Sequence, residues 1–482
     1  MRTGRRGLRL PPSAVHAAAA LLFAAALLHV ALHGLAQPRV ALAFGAAVAV
    51  GEWTRITLPG DREQAPIGSA AALAYALLGP LHATPTDHGT LQVVAVTGLG
   101  TLTGQLPLAL PAVRARRRTD PGGTDSGRTG GTATTATATT ATTGSRGGRG
   151  GRGRADGTGP GALRGDTVRA DTAARRLLTT AFAAVLFQPV YGSGLLDRAP
   201  LSGPVYGALL TGVAALTALC DTVLAAVLHR ARAGLRFGAA LEDELRSLLG
   251  IGSAIVATGM LVSLLAGEVG LWALPLFCTP LLLAQASFRR AAEIRATTGQ
   301  TIEALARATE TAGYTPPGHA RRVADTACAL GRELGLGTRD LALLEYAALM
   351  HDIGQLSLVE PVPGGATALL PAAEQQRIAR LGSEVIRRTG VPRRVGEQVA
   401  RLADPCRLPD GAADRSLPLA ARIIRVANAH DDLRTEARAR GLSEATAGLA
   451  ALERLRLERG GAYDPAVVDA LARVGTAGRE PA

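Results

Sequence analysis

Not one of the 482 residues is lysine, so all 52 basic residues are arginine. With so much alanine and glycine alongside, this reads as codon bias, and no single arginine carries an argument by its presence. Aromatics make up only 3% of the chain, so apolar burial rests on Ala, Leu and Val. Cysteine is scarce: Cys220, Cys278, Cys328 and Cys406 show no CxxC spacing, and two lie in apolar stretches. That argues against a disulfide framework and against a cysteine-ligated zinc. No alternating strand pattern of useful length appears, so a β-rich fold is not expected. The net charge of +13 does not by itself call for nucleic acid. Much of it lies in Met1–Leu10 and after residue 113, where arginines flanking apolar runs read as the cytoplasmic side of a membrane. No specific nucleic-acid partner is expected.

What the chain does have is long apolar runs, near 15–36, 38–51, 66–83, 91–113, 176–193, 204–228, 249–267 and 270–288. A membrane-crossing helix takes about 20 residues. Arginine clusters precede the first run and follow the fourth, sixth and eighth, so every second loop is basic. This predicts a multi-pass cell-membrane protein with both termini cytoplasmic and the lipid bilayer as a partner. The expected order is a membrane region of about four helices over 1–113, a disordered Thr/Ala and Arg/Gly linker over 114–172, and about four further helices over 173–288. A connecting helix follows over 289–312. Ile294, Ile302, Leu305 and Thr309 share one of its faces, which fits a homodimer seam or a single connecting helix. Asp221, inside the sixth run, calls for an arginine partner or an interfacial position.

From 313 to 476 the pattern is helical throughout. Helices are expected after Pro316-Pro317, at Asp340, at Pro371, Pro392 and Pro418, and at Ser443-Glu444. The fold class is therefore all-α: a multi-helix transmembrane region followed by a cytoplasmic all-α bundle.

Chemistry concentrates in the bundle. His351-Asp352 closes the apolar run Leu341–Met350, and His319 opens the helix before it. Imidazole and carboxylate together hold a divalent cation that activates water and neutralises phosphate. For the pair alone, a helix-end His-Asp hydrogen bond without metal would serve as well.

Four segments in order extend the pattern: TIEALARATETAGYTPPGHARRV (301–323), AALMHDIGQLSL (347–358), PDGAADRSLPLAARIIRVANAHDDL (409–433) and YDPAVVDALARV (463–474). In this order and spacing they resemble the HD-GYP branch of the HD-domain superfamily, over roughly 297–476. The resemblance implies an all-α fold, a metal centre and hydrolysis of cyclic di-GMP. It places metal ligands at His319, His351 and Asp352, with Asp352 also catalytic. The carboxylate that closes the family's metal site falls on Asn428, and the phosphate-binding lysine on Gln355, a contact that Arg322 could replace. Other ligand positions fall on Ile378, Val399, Ala400 and Arg401, and the GYP step on Arg407-Leu408-Pro409. Asp404 and Asp431 match aspartates outside the metal's immediate ligands.

The residues thus imply at most one divalent ion (Mn, Fe or Mg). Three functions fit them. One is a metal-dependent phosphohydrolase of a nucleotide or cyclic dinucleotide. The second is an inactive relative that binds a nucleotide or a protein and signals without turnover. The third is a transporter with a helical regulatory domain.

Overall fold

The computed structural model describes residues 12–58, 62–81, 85–106, 160–193, 203–408 and 410–477. The Thr/Ala and Arg/Gly tracts, and the expected linker up to residue 159, lie outside them, as do the arginines before the first apolar run and after the fourth. Helix resumes at Pro160, inside the segment expected to be linker.

The N-terminal half is α1 (Pro12–His33), α2 (Pro38–Trp53), a hairpin of β1 (Ile56–Leu58) and β2 (Arg62–Gln64), α3 (Pro66–Ala76), α4 (Thr90–Gln105), α5 (Pro160–Gly192) and α6 (Gly203–Ala233). Then follow α7 (Phe237–Ser247), a π-turn (Leu248–Gly252), α8 (Ser253–Val269) and α9 (Ala273–Thr311). Among the described residues, three helical stretches are long and apolar enough to cross a membrane: Pro12–His33, Pro204–Ala233 and Phe237–Thr311. α3 is apolar but, at 11 residues, only about 16 Å long. α2 packs on α3 and α4, α3 on α8, and α5 on α4 and α6. The crossing of α2 and α3 is close: a Cβ on Gly51 would lie 2.2 Å from the backbone nitrogen of Gly68. Small residues at such crossings let helices approach where no water drives them together.

The hairpin is the one sheet among the described residues, antiparallel with Ile56 opposite Gln64 and Leu58 opposite Arg62. It was not expected, because strands of three residues are too short to show the alternation that marks a strand in sequence. Asp221 does find an arginine: its carboxylate lies 3.0 Å from Arg175 Nε on α5.

α9 runs unbroken for 39 residues, about 58 Å, out of the apolar half and into the C-terminal bundle. Its Ile302 and Thr309 are buried there, while Ile294 is 67% exposed. The bundle comprises α10 (His319–Leu334), α11 (Thr338–Leu349), α12 (Ala372–Arg387), α13 (Arg393–Ala400), α14 (Leu419–Ala439), α15 (Glu444–Leu457) and α16 (Pro465–Ala477). Pro371, Pro392 and Pro418 each sit at the N-cap, one residue before the helix proper, where their extended ψ turns the chain into it. Ser443 Oγ accepts from the Thr446 amide at the start of α15, the side-chain cap expected of serine. Val323, Leu330, Leu344, Met350, Ile424 and Val468 meet in one core. Each such side chain contributes roughly 1.5–3 kcal/mol by leaving water. The core fixes α10, α11 and α14, the three elements that carry the site.

Candidate metal centre

Gly318 takes a left-handed φ of 73° that most residues avoid, and so turns the chain to start α10 with His319 inward, 1% exposed. α11 ends at Leu349, and His351 and Asp352 occupy the turn that leads into a 3-10 stretch, Ile353–Ser357. Gly354 is required there: a Cβ would lie 2.0 Å from the Ile378 carbonyl oxygen on α12. This close contact packs the HD turn against α12.

Three ligand atoms converge. His319 Nε2 lies 3.4 Å from His351 Nε2 and 3.4 Å from Asp352 Oδ2, and His351 Nε2 lies 3.2 Å from Asp352 Oδ2. Atoms bound about 2.1 Å from a shared centre at tetrahedral angles are about 3.4 Å apart, so the trio has the span of a cation's coordination shell. Each imidazole is held by its other nitrogen. His351 Nδ1 donates to the Ala348 carbonyl at 2.7 Å, and His319 Nδ1 donates to Asp431 Oδ2 at 2.8 Å. That leaves both Nε2 atoms unprotonated in the neutral rings, the arrangement that orients metal-binding histidines. Asp352 Oδ1 accepts from Thr367 Oγ1 at 3.0 Å, whereas the buried Oδ2 is close to both rings but in hydrogen-bonding geometry with neither. A buried carboxylate oxygen without a hydrogen bond is costly, and a cation would complete it.

The electrostatics agree. Burial opposes a charge on His319, but Asp352 and Asp431 outweigh it and push its pKa up to about 10. His351 is also raised, burial being overcome by Asp352. Against the same desolvation, the histidines hold Asp352 well below the usual carboxylate range, and His319 and Arg322 do so for Asp431. Without a cation, protons on the histidines balance the carboxylates.

Asn428, the chain's sole asparagine, is joined to the trio indirectly. Its Nδ2 donates to Thr367 Oγ1 at 3.1 Å, and its buried Oδ1 has no partner. Arg322 is spent on Asp431, at 3.0 Å from Nε and 2.9 Å from Nη2. Gln355 is fully buried with no partner for its amide, and it does not line the cavity beside the trio.

That cavity, about 40 Å3, reaches His351, Asp352, Thr367 and Asn428 at one end and is walled by Ile378, Ala379, Leu402 and Ile424. Ile378, where the sequence resemblance implied a further ligand position, is thus part of an apolar wall. Arg401 faces away from metal chemistry, bonded to Asp404, Asp414 and Ser416.

Three contributors escaped the sequence reading. Thr367 lies in an irregular segment without periodicity. Arg425, on the cavity wall, donates to the Asp404 carbonyl at 2.6 Å and lies over the Tyr463 ring. Asp432 is 3.9 Å from His319 Nδ1 and accepts from the Ala368 amide; burial pushes its pKa up to about 7. The adjacent acidic pair Asp431-Asp432 was the available signal for the last.

Residues 318–432 match the family model described as HD domain. The cyclic di-GMP phosphodiesterase response regulator RpfG of Xanthomonas campestris pv. campestris (strain 8004) is 32% identical over 184 residues. The matched part is 36% of this chain and 47% of that protein, so this chain spans about half the length of the curated relative it matches. Over residues 318–432 the bundle is thus similar to HD domains, and its His319, His351 and Asp352 form a group suited to a metal ion.

Proposed function

We propose that this chain is a membrane-anchored signalling protein whose HD domain holds one divalent cation and binds a nucleotide or cyclic dinucleotide through phosphate, with little turnover. The observation that carries the reading is the convergence of His319, His351 and Asp352 beside a wall where Ile378 offers a second cation nothing. Two imidazoles and one carboxylate favour Mn or Fe over Mg. When bound there, the cation supplies neutralisation of phosphate charge and acidification of a water. The chain's own residues do the rest. Asp431 and the Ala348 carbonyl fix the ring tautomers, and Thr367 holds Asp352 in place. Arg425 brings positive charge to the cavity for a phosphate oxygen. A cavity of about 40 Å3 admits a phosphate oxygen or a few waters but not a base, since whole-ligand pockets run to several hundred Å3. The nucleoside portions would lie outside it.

The relative's named activity makes cyclic di-GMP the probe of choice. In the full-length protein in detergent, Mn2+-dependent binding of cyclic di-GMP is expected, abolished in His351→Ala, with slow or no hydrolysis. Rapid Mn2+-dependent hydrolysis would replace this reading with that of an active phosphodiesterase. Absence of any metal-dependent binding would remove it.

A further inference from the structure

A second cavity, about 70 Å3, lies in the apolar half between β2, α3, α5, α6 and the π-turn. Its polar floor is unusual for such a place. Arg176, 5% exposed, donates to the Glu52 carboxylate and to Ser69 Oγ at 3.0 Å. Gly68 makes room for it: a Cβ there would lie 2.8 Å from Arg176 Nη1. Arg175 and Asp221 form their ion pair on the cavity wall. Gln64 Oε1, also on the wall, is buried and accepts from nothing.

Buried charge among apolar helices is costly and tends to mark a functional site. The chain also kinks beside the cavity, within Leu248–Gly252, where Gly250 leaves helical geometry altogether with ψ −111°. We propose that this cavity binds a small zwitterion, an amino acid with a short side chain. The two arginines are balanced by Glu52 and Asp221, so a lone anion would face Asp221 and a lone cation Arg175. A ligand carrying both charges satisfies each: its carboxylate on Arg175, its ammonium on Asp221 and on the free acceptor of Gln64. At about 70 Å3 the cavity leaves no room for a long side chain, which makes glycine and alanine, the smallest amino acids, the probes.

The position also matters. The π-turn that lines the cavity continues directly from α7, whose Asp243 Oδ2 accepts from the Thr338 amide at the start of α11, 2.8 Å away. α11 is the helix that leads into the His351-Asp352 turn, so cavity and metal centre are joined through two elements.

The test is thermal unfolding of the full-length protein in nanodiscs, titrated with glycine or alanine, with acetate and methylamine as single-charge probes. The expected result is a saturable rise in Tm with the amino acids alone. That rise should be lost in Ala218→Leu, which fills the cavity and keeps every charge, and weakened in Gln64→Leu, which removes only the free acceptor. No rise with either amino acid, an equal rise with acetate or methylamine, or a rise untouched in both variants would overturn the proposal. The readout is independent of whether the HD domain binds metal.

Discussion

Replacing Asp431 by asparagine tests how the site is organised. Asp431 is 4% exposed, and its Oδ2 accepts from His319 Nδ1 at 2.8 Å while Arg322 holds both its oxygens. Asparagine keeps the shape and one acceptor but removes the charge that fixes the His319 tautomer. Loss of such a supporting carboxylate typically weakens metal affinity by about 10–100-fold, or roughly 1.4–2.7 kcal/mol. Arg322→Gln is the control. The Arg322 side chain is 39% exposed, so solvent screens its pairing and the change should stay within about threefold. Calorimetric titration of Mn2+ into the metal-stripped protein reads both. Wild-type affinity in Asp431→Asn, or an equal loss in Arg322→Gln, would refute the claim that Asp431 acts through His319.

Metal affinity should also climb with pH. With a pKa near 10 the metal-free His319 keeps its proton, which the cation must displace, so affinity rises by at least about tenfold per unit as pH climbs towards about 10, the raised His351 adding to the slope. Conversely, the raised His319 pKa stabilises the metal-free fold below pH 6.5, and this contribution fades as pH rises through about 10; Tm scans with and without Mn2+ should diverge upward in pH. Asn428→Asp adds a carboxylate beside Thr367 and should tighten Mn2+ on the order of tenfold, read by the same titration. Gly354→Ala places a methyl against the Ile378 carbonyl, at 2.0 Å, and should cost about 3 kcal/mol, the upper end of overpacking costs, in denaturant unfolding.

The helical class, the helix starts near Pro371, Pro392, Pro418 and Ser443, and the trio His319, His351 and Asp352 were legible in the sequence, though the prolines sit at the N-cap and not in the first turn. Each follows from local signals: helical spacing, proline at a helix start, and ligand types next to apolar runs. What stayed hidden depends on contacts between distant segments. Thr367 reaches Asp352 and Asn428 from an irregular loop, and Arg425 reaches the cavity from a helix face that looks like any other arginine-bearing face in a chain without lysine. Arg322 was legible as a cation near the site, but not its commitment to a carboxylate 109 residues away. The buried pairing of Arg176 with Glu52 was invisible for the same reason.

The most direct test is the metal content of the purified full-length protein after Mn2+ loading and desalting, beside His351→Ala. The account predicts about one Mn per chain in the wild type, lost in the variant. No retained metal in the wild type, or equal metal in His351→Ala, would contradict it.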